Sequence, residues 1–488
     1  MAKLRQLASD TVLYGISTVV SRFLNYLLVP FYTAYFDPAV YGVVGLIYGA
    51  MIFLNVLVTF GMESAFLRYG AEKETRKQVF QQIQLLVTAV SIILALLFLL
   101  SGNLIKPLLS LELDTFHLYE MMLGIVVLDA ISTVPFADLR LERKAFLFMI
   151  LRICNVLINV GLNLYLIIQN LWGIEAVLIS NLVASGITTF ISLIITFKGF
   201  SFSIDTQFIK RTVNFGLPYI PAGIGYGINE VLDRFLINAM DPNDIERLYG
   251  VGISTETLTG IYNASYKLGI FMMLFIQMFR MAWQPFYMSH HKENQAKKVF
   301  TQSFSLISMI SGILVLFIGL FRVEIAAIPI PFLHSTLIDS RYWSGLSIVP
   351  FLLIAYWFQL WYTHFTAGIV LSEKTAILPK ATSIGAVITL IANVILLPIW
   401  GLNGAAIATL LSYMTMALYM LYQTEKAYPI QYPWITAFFQ IFGVGLILIN
   451  SVVVFIDLRL SYSLILGIAF IAFPLIAFIK QNKKEELS

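Results

Sequence analysis

The sequence predicts an all-α polytopic membrane protein of about fourteen transmembrane helices, arranged as two six-helix lobes in parallel pseudo-repeat plus two C-terminal helices. Three observations predict it. Hydrophobic residues make up 59% of the 488 residues and charged ones 12%, against about 25% charged in a typical soluble domain; the mean hydropathy is +0.84. The apolar residues come in runs long enough to cross a hydrocarbon layer about 30 Å thick, which takes about 20 residues per helix. Short motifs of the first half recur in the second.

Taken in order, the spans fall at 9–35, 40–67, 79–101, 118–139, 145–169, 172–197, 212–238, 258–287, 299–321, 345–371, 375–398, 400–423, 434–456 and 461–479. The first is too long for the apolar core of a cleavable signal, and further spans follow it. It is expected to stay as a signal anchor. In the second, Gly42, Gly45 and Gly49 form a small-residue packing stripe. The connections at 169–172 and 398–400 are short, so the flanking spans are expected to be tight helical hairpins. The seventh span begins badly for a helix, because Pro218 and Pro221 bracket its start and Gly223, Gly225 and Gly227 follow. A broken helix is tolerated in a membrane only where neighbours or cavity water satisfy its freed carbonyls. The one cysteine, Cys154, excludes an intramolecular disulfide and a Cys-based zinc site, and reads as a small apolar filler.

Basic residues set the orientation. One set of loops and span ends carries 21 Lys and Arg, the opposite set 5, so both termini are expected on the cytoplasmic side. The long outer loop at 240–257 is acidic, with Asp241, Asp244, Glu246 and Glu256. No loop is large enough for a folded domain, and the net charge of +4 follows topology and is no signal for nucleic acid.

The repeat is carried by Trp172-Gly-Ile-Glu-Ala176 and Trp400-Gly-Leu-Asn-Gly404, each opening a span after a tight turn and a span bearing Asn163 or Asn393. Arg22-Phe-Leu24 returns as Arg234-Phe-Leu236, and Asp37-Pro38 as Asp241-Pro242. Six spans is an even number, so both halves keep one orientation and the repeat is parallel. The expected division is 1–200, 201–426 and 427–488, the last holding two added helices and a tail.

Charges inside the spans point to function. A charged side chain at mid-bilayer costs about 2.5–3.5 kcal/mol on insertion scales, so such residues face a wet interior or one another. Arg22 lies at mid-depth of the first span, with Asn25 on the same face. Glu230, Asp233 and Arg234 share one face of the seventh, where Arg234 is either neutralised by Glu230 or shared between a carboxylate and an anionic cargo. Lys267 and Arg280 lie on the eighth, Arg280 on a stripe with Gln277 and Gln284. On a straight helix the two cations sit about 140° apart and do not face one point. Arg152 is shallow in the fifth span. Glu63 is a candidate partner of Arg22 or Arg280, and Asp129 is an intramembrane acid without an obvious partner that pairs with a cation or binds a proton. Buried charge, apolar surroundings and an interrupted helix together suggest a water-filled cavity between moving helices. No Walker A, His-Glu-x-x-His or Gly-x-Ser-x-Gly pattern marks an enzyme.

The segments Ser21-Arg22, Pro30-Phe-Tyr-Thr33, Pro38-Ala-Val-Tyr41-Gly42 and Gly61-Met-Glu-Ser-Ala65-Phe-Leu-Arg68, then Asp233-Arg234-Phe-Leu-Ile237 and Gly260-Ile-Tyr262-Asn-Ala-Ser-Tyr-Lys267, keep an order and spacing over nearly the whole chain. They resemble the polysaccharide transporter family of the multidrug/oligosaccharidyl-lipid/polysaccharide exporter superfamily, which holds the O-antigen and capsule-repeat flippases. The resemblance implies a non-enzymatic flippase of alternating access in a bacterial cytoplasmic (inner) membrane. Its cargo would be a polyprenyl-diphosphate-linked oligosaccharide. Arg22, Asn25, Arg234, Lys267, Gln277 and Arg280 would then contact cargo, because arginine's planar fork binds two phosphate oxygens at once. Glu63, Asp129, Glu230 and Asp233 are the charge-coupling candidates. No metal or cofactor is expected, with proton or sodium coupling left open. The expected partners are the lipid-linked cargo, membrane lipids and other polysaccharide-assembly membrane proteins. Two rivals remain: a drug/cation antiporter of the same superfamily, which favours an acidic cavity, and a membrane-embedded glycan polymerase or ligase, which needs a sizeable outer loop.

Overall fold

The computed structural model describes residues 19–20, 23–111, 116–170, 172–197, 199, 205–290, 295–453 and 462–472. Its labelled helices, in chain order, are α1 Leu28–Tyr35, α2 Pro38–Thr59, α3 Met62–Tyr69, α4 Arg76–Leu100, α5 Phe116–Leu141, α6 Ala145–Asn170, α7 Ile174–Thr196, α8 Thr206–Gly216, α9 Tyr219–Asn238, α10 Pro242–Tyr249, α11 Thr255–Tyr266, α12 Ile270–His290, α13 Ala296–Leu320, α14 Val349–Leu371, α15 Ile377–Ala427 and α16 Trp434–Val453. A two-stranded antiparallel ribbon pairs Pro329–Ile330 with Ser335–Thr336. The chain is therefore an all-α membrane protein. Among the described residues nine helices are long and apolar enough to cross a bilayer, and the longest of them merges two across a kink. Two compact units are formed, Met1–Ala239 with Ser254–Gly260, and Met240–Ile253 with Ile261–Ser488.

In the first unit α5 is the central helix, packed by α2, α3, α4 and α7. Its Leu118, Met122, Ile125 and Val126 are buried at three- and four-residue spacing, the stripe by which a helix joins a core. Pro38 opens α2 at the first helical position, where its missing N–H is no loss. Between α2 and α3 the chain turns through Phe60 and Gly61, both left-handed. The expected interruption at the start of the seventh span is present but shorter than expected. It falls at Leu217–Pro218, between α8 and α9, and α9 runs unbroken through Pro221 and the three glycines. The glycines serve close packing: a Cβ at Gly223 would come within 2.6 Å of Val56, and one at Gly227 within 2.8 Å of the Phe53 ring. Small residues let helices approach in a membrane, so these glycines admit α2 against α9.

In the second unit α14 is the most deeply buried helix and packs against α12, α13, α15 and α16. Aromatic residues fill this core. Trp283 stacks on His364 with ring centroids 4.4 Å apart and donates to the His364 carbonyl at 3.2 Å. Trp357 and Trp361 each donate to Ser308 Oγ at 3.3 Å, giving two buried indole N–H groups one acceptor. α15 bends at Gly401 (φ 56°, ψ −135°), just past Pro398, so the short 398–400 connection is a hairpin turn. α10 holds that turn: Tyr249 Oη accepts from Leu402 N at 2.7 Å, and Arg247 Nη2 donates to the Pro398 carbonyl. A Cβ on Gly401 would overlap the Tyr249 hydroxyl. A 3-10 turn at Lys267–Gly269 divides α11 from α12, so Lys267 and Arg280 do not share the straight helix expected of them.

Candidate functional site

Polar stripes on three helices of the first unit face one another. α5 presents Asp129, Ser132, Thr133, Phe136 and Arg140; α6 presents Phe148, Arg152 and Asn155; α7 presents Asn181, Ser185, Thr188 and Thr189. These spacings of three, four and seven put each set on one helical face. With Asn55 and Thr59 of α2 and Glu63 of α3 they enclose a chamber of about 370 Å³. Eleven residues separate Asp129 from Arg140, so the chamber runs about 16 Å along α5 at 1.5 Å per residue.

The wall is hydrogen-bonded but not closed off. Ser185 Oγ donates to Asp129 Oδ1 at 2.8 Å, and Ser132 and Thr133 donate to the Asp129 carbonyl at 2.8 and 3.1 Å. Asn155 Nδ2 donates to Thr188 Oγ1 at 3.1 Å, and Asn181 Nδ2 to Tyr48 Oη at 3.2 Å. At the far end Arg140 and Glu63 form an ion pair. Arg152 is held differently. Its guanidinium carbon lies 4.4 Å from the Phe136 ring centroid and 5.7 Å from that of Phe148. Among the described residues it makes no hydrogen bond and no ion pair within 4 Å. The Asp129 and Arg152 charges act on each other across the chamber. A carboxylate with oxygen to spare, a guanidinium with its donors unspent and a lining of amides and hydroxyls make a space that holds water, a cation or proton at Asp129, or hydroxyl-rich cargo.

Of the residues singled out in the sequence, Glu63, Asp129 and Arg152 line this chamber. Glu63 meets Arg140, a partner not expected of it, while Asp129, left open between a cation and a proton, meets Ser185 and faces Arg152. Glu230, Asp233 and Arg234 share α9, but Arg234 pairs with Asp233 Oδ1 at 3.1 Å, and Glu230 contributes its backbone carbonyl at 2.6 Å. A long side chain on a helix leans toward the N-terminus, which carries Arg234 over the carbonyl four residues back. Asp233 and Arg234 are 3% and 5% exposed. Asn25 is exposed in the same unit. In the second unit Lys267 and Gln277 are half-buried and Arg280 is exposed. Arg22 lies outside the described residues. Sequence reasoning missed Asn55, Asn155, Asn181 and Ser185, and did not bring Arg152 to Asp129. Their signal was polar side chains at helical spacing within otherwise apolar spans.

Comparison with solved structures fixes the fold. The chain superposes on the lipid II flippase MurJ in an inward closed conformation with a TM-score of 0.69 and 16% identity, over 96% of this chain and 99% of that one. An inward-facing multidrug resistance MATE family transporter of the MOP superfamily gives 0.65 and 15%, over 86% of this chain and 97% of that one. A MOP superfamily transporter from Pyrococcus furiosus, whose binding pocket is described as reversed in polarity, gives 0.61 and 16%, over 86% and 95%. No curated protein sequence matches. Residues 7–291, more than half of the chain, match the family of polysaccharide biosynthesis proteins, and the chain belongs to that family.

Proposed function

We propose that the protein is a flippase that turns a polyprenyl-diphosphate-linked oligosaccharide from the cytoplasmic to the outer leaflet of a bacterial inner membrane, for O-antigen, capsule or exopolysaccharide assembly. The observation that carries this reading is the fold match to a lipid II flippase over 96% of the chain, joined to membership of a polysaccharide biosynthesis family. The multidrug transporter match covers 86% of the chain, which favours the flippase over the antiporter. Physically, a diphosphate and its sugars cannot shed water in hydrocarbon without compensation, whereas the lipid tail stays in the bilayer throughout. The machine needs polar interior surface and two conformations, and no bond in the cargo has to break. The protein is accordingly a carrier and not an enzyme.

In this reading Arg22, Asn25, Lys267, Gln277 and Arg280 contact the cargo head. Arg234 is shared between Asp233 and the diphosphate, and the chamber carboxylate Asp129 is the coupling group. Mass spectrometry of lipid-linked intermediates in a deletion strain tests the function directly. The expected result is accumulation of complete, unpolymerised repeat units on their lipid and loss of surface glycan. A normal lipid pool with normal surface glycan overturns the reading, and lipid-linked repeats presented on the outer face without polymer identify a polymerase instead.

A further inference from the structure

A second cavity of the first unit, about 440 Å³, lies among the end of α3, the start of α4 and α8, away from the chamber. Two arginines define it. The Arg68 guanidinium carbon is 5.6 Å from the Tyr69 ring centroid and 4.8 Å from that of Phe215, and the Arg211 carbon is 5.0 Å from the same Tyr69 ring. Cation–π contacts thus hold two positive charges around one phenol. Neither guanidinium has a hydrogen bond or an ion pair among the described residues, so the fork of each keeps its donors. Two carboxylates share the wall without neutralising them. Asp205 caps α8, its Oδ1 accepting from Gln207 N and Phe208 N at 3.0 Å each, and Glu72 is exposed and pairs with no cation among the described residues. A third feature points inward. Gln82 lines the cavity at 5% exposure, and its Oε1 has no hydrogen-bond partner among the described residues.

Two like charges on one ring repel, and a multivalent oxyanion between them removes that cost. Guanidinium forks fit phosphate oxygens in pairs, better than they fit a point charge. The open Gln82 Oε1 beside them accepts from a hydroxyl next to the phosphate. Arg68 and Arg211 belong to the strongly basic set of span ends and loops, the face read as cytoplasmic. We infer that this pocket is a phosphate site that receives the diphosphate head of a membrane lipid at the cytoplasmic surface, a loading position ahead of translocation. The inference rests on the flippase reading for the identity of that lipid, but not for the anion chemistry.

The test uses the full-length protein in detergent, with farnesyl diphosphate as the probe. Wild type is expected to bind it, and the double variant Arg68→Ala/Arg211→Ala to bind it more than about tenfold more weakly, with an unchanged melting temperature because both side chains are exposed. Arg68→Lys/Arg211→Lys should recover only part of the affinity, since lysine lacks the fork, and Glu72→Gln should tighten binding. Inorganic diphosphate should displace the probe. Binding by the double alanine variant within about twofold of wild type overturns the site. Displacement by phosphatidylglycerol as effective as by diphosphate also overturns it, in favour of a general contact with anionic lipid. Loss of binding in the variant, with no lipid-linked intermediate accumulating in the deletion strain, keeps the diphosphate site and removes the flippase reading.

Discussion

Arg234 and Arg152 are both arginines on helices of the first unit, and each has an aspartate for company, yet they are held in opposite ways. Arg234 folds back along α9 onto the Glu230 carbonyl and the adjacent Asp233, at 5% exposure. Arg152 stands on two phenylalanine rings, faces a chamber and spends none of its donors on the described residues. One charge is already satisfied by its own helix. The other is left able to meet water, an ion or cargo. The comparison teaches that an intramembrane charge is read by what its neighbours leave undone, and its depth in the bilayer says little by itself.

The largest expected effect breaks the satisfied side. Arg234→Ala takes away the cation facing a carboxylate only 3% exposed, and removing one partner of a buried pair costs about 3–5 kcal/mol. A large fall in melting temperature in detergent is expected, with partial rescue by Arg234→Lys. A variant that melts like wild type but exports no glycan would move Arg234 wholly to cargo binding. On the open side the prediction is reversed. Asp129→Asn keeps an oxygen for Ser185 Oγ and deletes the charge that faces Arg152. Surface glycan should be lost while the melting temperature stays within about 2 °C of wild type. Normal export in that variant reassigns Asp129 to packing.

A smaller effect sharpens the contrast at the chamber's end. The Arg140–Glu63 pair is accessible, with side chains 32% and 48% exposed, and such pairs are worth about 0–1 kcal/mol. Glu63→Gln should barely move the melting temperature. A shift as large as that of Arg234→Ala would mean that the chamber mouth bears structural load.

How much of this was legible follows from range. Apolar run length reports the spans, and a Trp-Gly pair after a short connection reports the hairpin that Gly401 makes, because each is a local property of the chain. The partners of charges are not local. Ser185 lies 56 residues from Asp129, and Arg140 lies 77 from Glu63. No helical spacing connects them, so the sequence shows Asp129 without an obvious partner and does not point from Glu63 to Arg140. The polar stripes of α5, α6 and α7 were there to be read, but each is informative only once the helices are known to face one another. The glycines of α9 misled for a related reason. Gly is weak in an isolated helix, yet in a packed membrane helix it marks where a neighbour comes close, so the break is confined to Leu217–Pro218.

The smallest prediction concerns a carboxylate outside the spans, where pH can reach it. Glu256 accepts from Ser110 Oγ at 2.7 Å, and Ser110 in turn bonds Asn238. Partial burial pushes its pKa up, but hydrogen bonds from Ser110, from its own backbone and from Ser254 and Thr255 outweigh that and hold the carboxyl below its ordinary value. A depressed folded pKa means that the unfolded chain binds the proton more readily, so stability rises with pH across the gap. The contribution is fully present above the unfolded carboxylate value near about 4.3 and is lost as pH falls through the lower folded value. Glu256→Gln should therefore melt slightly below wild type at neutral pH, and the two curves should converge as the medium is acidified past that window. Convergence on raising the pH would invert the sign and show that burial, not the Ser110 bond, governs this group.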